Sequence, residues 1–211
     1  MNIALLVLRL VPGLLFIGHG LQKLVPAQYS PPLLHATGPR AAAGFFEQIG
    51  LRPALPSVLA AALAEVGGGF LVASGLVTPL GTVLIAAVMT TAIVSVHMRQ
   101  GIWNTNGGVE FPLVLLTMVY LASALGPGSF SLDSWAGIAN WTGIHWVAAD
   151  AVRAGAAVGI GAAAGLLTLA SAAARKAWDA GARASAPAHG GSKVRAAPPA
   201  GRRRPKVDAT N

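Results

Sequence analysis

The chain contains no cysteine. That absence excludes thiol nucleophiles, disulfide exchange and thiolate metal sites supplied by this polypeptide alone. It does not bear on compartment. Charge is also scarce: 10% of the 211 residues are Asp, Glu, Lys or Arg, against about 25% in soluble domains. No GxxxxGK[ST] phosphate loop and no H-E-x-x-H helix occurs, so a mononucleotide site and a zincin-type protease are not indicated. His19 and His97 stand far apart in sequence, too few for a haem or metal assignment, and no metal is expected.

Apolar residues fill the space that charge leaves. They make up 54% of the chain, and the mean hydropathy is +0.62. Five apolar runs stand out: Ile3–Lys23, Val58–Val77, Pro79–His97, Val109–Gly126 and Arg153–Ala174. Val58–Val77 at 1.5 Å per residue covers about 30 Å, the thickness of a hydrocarbon core. The first run lacks a basic n-region and an A-x-A site after His19, which argues against a cleaved signal peptide. The fold class expected is all-α integral membrane: a four-helix bundle over residues 1–135, a loop and fifth transmembrane helix over 136–174, and a disordered basic tail over 175–211.

Punctuation supports these boundaries. Thr78-Pro79 reads as an N-cap followed by proline at the helix start. Gly126-Pro127-Gly128 ends the fourth run. Arg40–Ile49 carries Phe45, Phe46 and Ile49 together and reads as a short interfacial helix. Gly155/Gly159 and Gly161/Gly165 are two GxxxG pairs suited to close helix contact, although a plain alanine-rich helix fits the same stretch.

Basic residues set the orientation. Residues 175–211 hold nine Lys/Arg against Asp179 and Asp208. Lys23, Arg40, Arg52 and Arg99 fall in or beside the loops after the first and third spans. The loop from the fourth span to the fifth holds only Asp133 and Asp150. Five spans with the N-terminus outside put every basic loop and the tail in the cytoplasm. Four spans, with the last segment lying on the surface, would invert the helices. The RRRPK stretch at 202–206 suits anionic lipid headgroups beside a membrane, and no specific nucleic acid is expected.

Glu65 lies inside the second span, where an ionisable group costs several kcal/mol, about 2.5–3.5 on insertion scales, unless it meets a partner or water. Topology gathers other polar groups at its end of the bundle. His19 and Lys23 end the first span, His97 ends the third, Trp103 and Asn104 follow it, and Glu110 begins the fourth. Glu65, Glu110 and His97 are the candidate proton-handling residues. Arg9, His19, Lys23, Trp103 and Asn104 are the candidate ligand-binding ones. Each has a plainer role: an Arg9–Glu65 pair fixing helix register, interfacial histidines, Glu110 favoured at a helix N-terminus, Trp103 as a belt anchor. Gly67–Gly69 lies inside a span and reads as helix packing.

RLVPGLLFIGHGLQKL at 9–24, GFFEQIGL at 44–51, LAEVGGGFLVASGLVTPLG at 63–81, NTNGGVEFPLVLL at 104–116 and GPGSFSLD at 126–133 resemble the DoxX family of small bacterial membrane proteins. The resemblance covers about 3–135. It implies a four-helix bundle in the bacterial plasma membrane and a link to sulfur or oxidative-stress redox systems, with quinone as the candidate cofactor. A redox-complex subunit of this kind would be an oxidoreductase component acting with soluble redox enzymes or a second membrane subunit. A non-enzymatic scaffold or assembly factor is the alternative, and a small transporter the third.

Overall fold

The computed structural model describes residues 2–137 and 150–185. The regular elements of its described residues are all helices, without strands. The helices are α1 (Asn2–Leu24), α2 (Pro39–Gln48), α3 (Ala54–Ser74), α4 (Thr78–Ala92), α5 (Glu110–Ala124), α6 (Leu132–Trp135) and α7 (Ala151–Ser185). α4 runs on through a π-helical turn, Ile93–His97, and a 3-10 turn, Met98–Gln100. In hydrocarbon every backbone N–H and C=O must be paired within the chain, and helices satisfy that locally.

α1, α3, α4 and α5 form a four-helix bundle, and α7 packs along α4 and α5. Phe16, Val72, Ile85, Leu115 and Val119 meet in its centre. Glycine lets the backbones touch. A Cβ on Gly13 would sit 2.7 Å from the Gly69 carbonyl oxygen, and one on Gly20 2.7 Å from that of Ala62. Gly68 and Gly69 serve packing as expected, Gly69 against α1 and Gly68 against α4, whereas Gly67 faces open space.

Among the described residues four segments are long and apolar enough to cross a membrane: Asn2–Leu24, Ala54–Ser74, Thr78–Gln100 and Ala151–Ala182. The chain is a multi-pass membrane protein whose helices contact the lipid bilayer. α5 departs from expectation. Its 15 residues make about 22 Å of helix, short of a hydrocarbon core of roughly 30 Å. The Gly126-Pro127-Gly128 break stops it early, and it fills the bundle as a shorter fourth member.

α7 departs in the other direction. The expected end at Ala174 is absent, and the helix continues to Ser185. Residues 175–185 are rich in Ala, Arg and Lys, strong helix formers that extend an existing helix at little cost. Gly161 packs on Val83 and Ala86, and Gly165 on Ala87 and Thr90. Residue numbers rise together on the two helices, so α7 runs parallel to α4. It is a packed bundle member, not a segment lying on the surface. Of the two GxxxG pairs, Gly161/Gly165 makes this contact and Gly155/Gly159 faces open space. Residues 138–149, expected as a loop, and residues 186–211, with their expected disorder and lipid-headgroup contacts, lie outside the described residues.

The turn between α3 and α4 corrects two further expectations. Thr78 is not the N-cap. Val77 holds that position with φ 44°, and its N–H donates to the Asp133 carboxylate at 3.0 and 3.1 Å. Asp133 thus caps α4 from α6. Burial pushes the Asp133 carboxyl up from its ordinary range, opposed by the Val77 N–H and the positive charge of Arg9. Arg9 does not meet Glu65. It is 1% exposed and donates to the Phe130 carbonyl at 2.5 Å and weakly to that of Ala73 at 3.5 Å. Gly75, with φ 66°, leaves room for its guanidinium, which any Cβ there would strike. α2 matches its expected range, but Phe46 turns inward onto Leu51, Val58 and Ala172 rather than lying in the interface with Phe45.

Replacing Gly165 by Leu should force α7 off α4 and cost about 1–3 kcal/mol, the usual penalty of overpacking. Gly159→Leu, at an open position, should leave stability within about 0.5 kcal/mol of the parent. Unfolding in micelles, followed by circular dichroism, checks the pair.

Candidate functional site: an apolar cleft with a charged end

A cleft of about 810 Å³ opens among α1, α2, α3, α4, α5 and α7. Its walls are mainly apolar, with Phe16, Phe46, Met89 and Leu115 among them. The charged and imidazole side chains that line it are His19, Lys23, Glu65, His97 and Arg175. Its size falls within the ~300–1,000 Å³ typical of small-molecule sites.

The Lys23–Glu65 ion pair is the centre of the polar end. Lys23 Nζ lies 2.6 Å from Glu65 Oε2, with Glu65's side chain 6% exposed and that of Lys23 22%. A helical side chain leans toward the N-terminus of its own helix. Lys23 follows that lean, donating to the His19 carbonyl at 3.0 Å on its way to Glu65. Lys23, not Arg9, is therefore the cation that offsets the burial of Glu65. In the α1–α3 register, Gly13 lies against Gly69 and Gly20 against Ala62 and Val66. Glu65 is thus level with the His19 turn of α1. Arg9 lies ten residues earlier, about 15 Å along the axis.

The remaining candidates divide. His19 Nδ1 is 3.3 Å from Gln22 Oε1, and Gln22 Nε2 donates to the Leu34 carbonyl at 2.8 Å. The backbone carbonyl of Gln22 accepts from the N–H groups of Thr37 and Gly38, which ties the 25–38 loop to α1 and seats α2 beside the cleft. His97 belongs to the π-helical turn, and its Nδ1 is 2.6 Å from the Gly107 carbonyl oxygen. Such turns re-aim side chains and recur at functional sites. Asn104 lines the cleft, and its backbone N–H donates to Glu110 Oε2 at 2.8 Å.

Glu110 and Trp103 do not line the cleft. Glu110 holds the 104–106 turn from the first position of α5, the place a helix dipole favours for an acid. Trp103 is 64% exposed. Arg175, placed by composition in the tail, instead lines the cleft from α7. Its helical setting was visible only as continued Ala, Arg and Lys after Ala174. Asp133 was read as loop charge, and its capping role needs a contact across 56 residues of sequence. Among the described residues no group of three or more His, Asp or Glu is placed to hold a metal ion.

The structure defines a class: a multi-pass helical membrane protein with a mainly apolar cleft lined also by an ion pair, two imidazoles and an arginine. Residues 4–98 match the DoxX family. A Bacillus subtilis (strain 168) protein named "Putative oxidoreductase CatD" is 35% identical over 122 residues, covering 57% of this chain and 78% of that one. The chain belongs to the DoxX family. No solved structure matches it. The family match takes in α1 to α4 and stops before α5.

A double-mutant cycle should separate the two possible partners of Glu65. Lys23→Met and Glu65→Gln should couple by about 0.5–3 kcal/mol, as contacting charged residues do. Arg9→Met and Glu65→Gln should add within about 0.5 kcal/mol. Chemical unfolding of the four proteins of each cycle in micelles measures both couplings.

Proposed function

We propose that this protein is the membrane-embedded subunit of a redox-linked complex of the bacterial plasma membrane, and that its cleft holds a quinone-type molecule. The carrying observation is the cleft itself, apolar along its walls and ended by Lys23, Glu65, His19 and His97. An alkyl or isoprenoid tail suits the walls, and a ring bearing two oxygens suits the end. Lys23 and Asn104 would orient the ring, while Glu65, His19 and His97 are the groups able to exchange protons with it. The name of the Bacillus relative supports a redox role. Without cysteine, the chain leaves thiol chemistry to partners, either soluble redox enzymes or a second membrane subunit.

The scaffold reading draws on a separate feature. α7's 35 residues make about 52 Å of helix, some 20 Å more than a hydrocarbon core. Its far end, with Arg175, Lys176 and the exposed Trp178, offers an attachment point for a soluble partner. In both readings the N-terminus is outside and the tail cytoplasmic, because Arg40, Arg52, Arg99 and Arg175 then share the inner side.

Purified protein in nanodiscs should bind decylubiquinone saturably, near one per chain, and Glu65→Gln should weaken binding about tenfold, the loss of one charged hydrogen bond. Absence of saturable binding by equilibrium dialysis would remove the quinone reading. The cysteine-free background makes orientation simple to test. Thr105→Cys and Ala180→Cys should be shielded from an impermeant maleimide in intact cells, and Ser129→Cys should react. Labelling of Thr105→Cys from outside would invert the topology.

A further inference from the structure

We propose that the cleft favours a ligand carrying one negative charge: a quinone-type ring with an ionised hydroxyl, met by Arg175. The inference rests on the quinone-type reading above and adds the charge of the molecule that binds. It comes from the full set of charged groups along the cleft.

The titratable side chains that line it are His19, Lys23, Glu65, His97 and Arg175. Lys23 and Glu65 cancel, their charged atoms 2.6 Å apart. A proton passing between them leaves that sum at zero, and a proton gained by Glu65 raises it. Each imidazole is neutral or positive, and the guanidinium keeps its charge. With at least one proton between Lys23 and Glu65, the lining is therefore net positive however the imidazoles titrate. Asn104 and the hydroxyls of Ser57, Thr91, Ser95 and Thr168 add dipoles but no charge. Acids just outside the lining are matched by bases. Glu47 pairs with Arg52 at 2.7 Å. Glu110 and Asp179 are equalled in number by Arg99 on the 98–100 turn and Lys176 on α7.

The surplus cation is Arg175. Gly161 and Gly165 on α7 meet residues 83–87 and 87–91 of α4. Arg175, ten residues further, is thus level with 97–101, where the continuation of α4 ends. A helical side chain covers the turn before its own Cα. For Arg175 that turn holds Ala172, which packs on Phe46 and Leu51, both walls of the cleft. Among the described residues Arg175 makes no ion pair or hydrogen bond, so none of its N–H donors is spent on them. A ring hydroxyl conjugated with a ring carbonyl is acidic and ionises at neutral pH. The two neighbouring oxygens that result match the guanidinium fork. A neutral dicarbonyl ring gives the same arginine only a weaker bond.

The test compares 3-decyl-2-hydroxynaphthoquinone, an anion at neutral pH, with its 2-methyl counterpart, a neutral ring of similar size. Each is titrated by equilibrium dialysis into the protein in phosphatidylcholine nanodiscs, and empty nanodiscs correct for uptake by lipid. Arg175 is exposed, so water screens part of the gain, and the anion should bind about fivefold tighter. Arg175→Gln should bring the two affinities within about twofold, chiefly by weakening the anion. Arg175→Lys, which keeps the charge, should retain a preference. The comparison on the unaltered protein needs no variant to fold. Equal affinities there, tighter binding of the methyl probe, or a preference unchanged in Arg175→Gln overturns the inference while leaving a quinone-type site standing. Binding of neither probe overturns the quinone-type reading and the inference with it.

Discussion

The close crossing of α1 and α3 sets everything else in place. Gly13 and Gly20 on α1 meet Gly69 and Ala62 on α3 at distances that leave no room for a Cβ. In lipid the apolar faces of helices gain nothing by leaving the solvent, so contact of this closeness is what drives association. It also fixes register. With Gly13 against Gly69, Lys23 falls within reach of Glu65 at one end. At the other, Arg9 falls beside Gly75 and the residues around α6. Polar groups that would oppose insertion singly are matched at both ends by a contact that contains none of them.

The two ends then have different characters. Around Arg9 the acceptors are backbone carbonyls of Ala73 and Phe130, and Asp133 is occupied by the N–H of Val77. That end is a closed clamp joining α1, the α3–α4 turn and α6. Around Glu65 the groups border an apolar cleft, and several retain unused hydrogen-bonding capacity. Arg9 spends its two terminal nitrogens on backbone carbonyls, its Nε alone left without a partner among the described residues, and it holds the fold. Lys23 and Glu65 instead border the cleft.

Much of this was legible in the sequence, and the reasons for the rest are physical. Apolar runs and proline-glycine breaks gave α1, α3 and α4, because helix length and hydrocarbon thickness are tied by geometry. The gathering of His19, Lys23, Glu65, His97 and Asn104 followed from antiparallel connection alone. A pair with Glu65 was one of the roles open to Arg9, and the α1–α3 register puts it out of reach, because ten residues of helix separate Arg9 from the His19 turn. Its real neighbours lie in a loop more than a hundred residues away. α7 was cut short because alanine and arginine with scattered glycine also describe disordered chain, and only its packing on α4 distinguishes the two. Glu110 joined the site on topology, whereas its side chain turns to Asn104.

α7 is one uninterrupted helix from Ala151 to Ser185, seated along α4 through Gly161 and Gly165. One continuous helix thus carries the glycines that seat it on α4, the Arg175 wall of the cleft and, one turn on, the exposed Trp178.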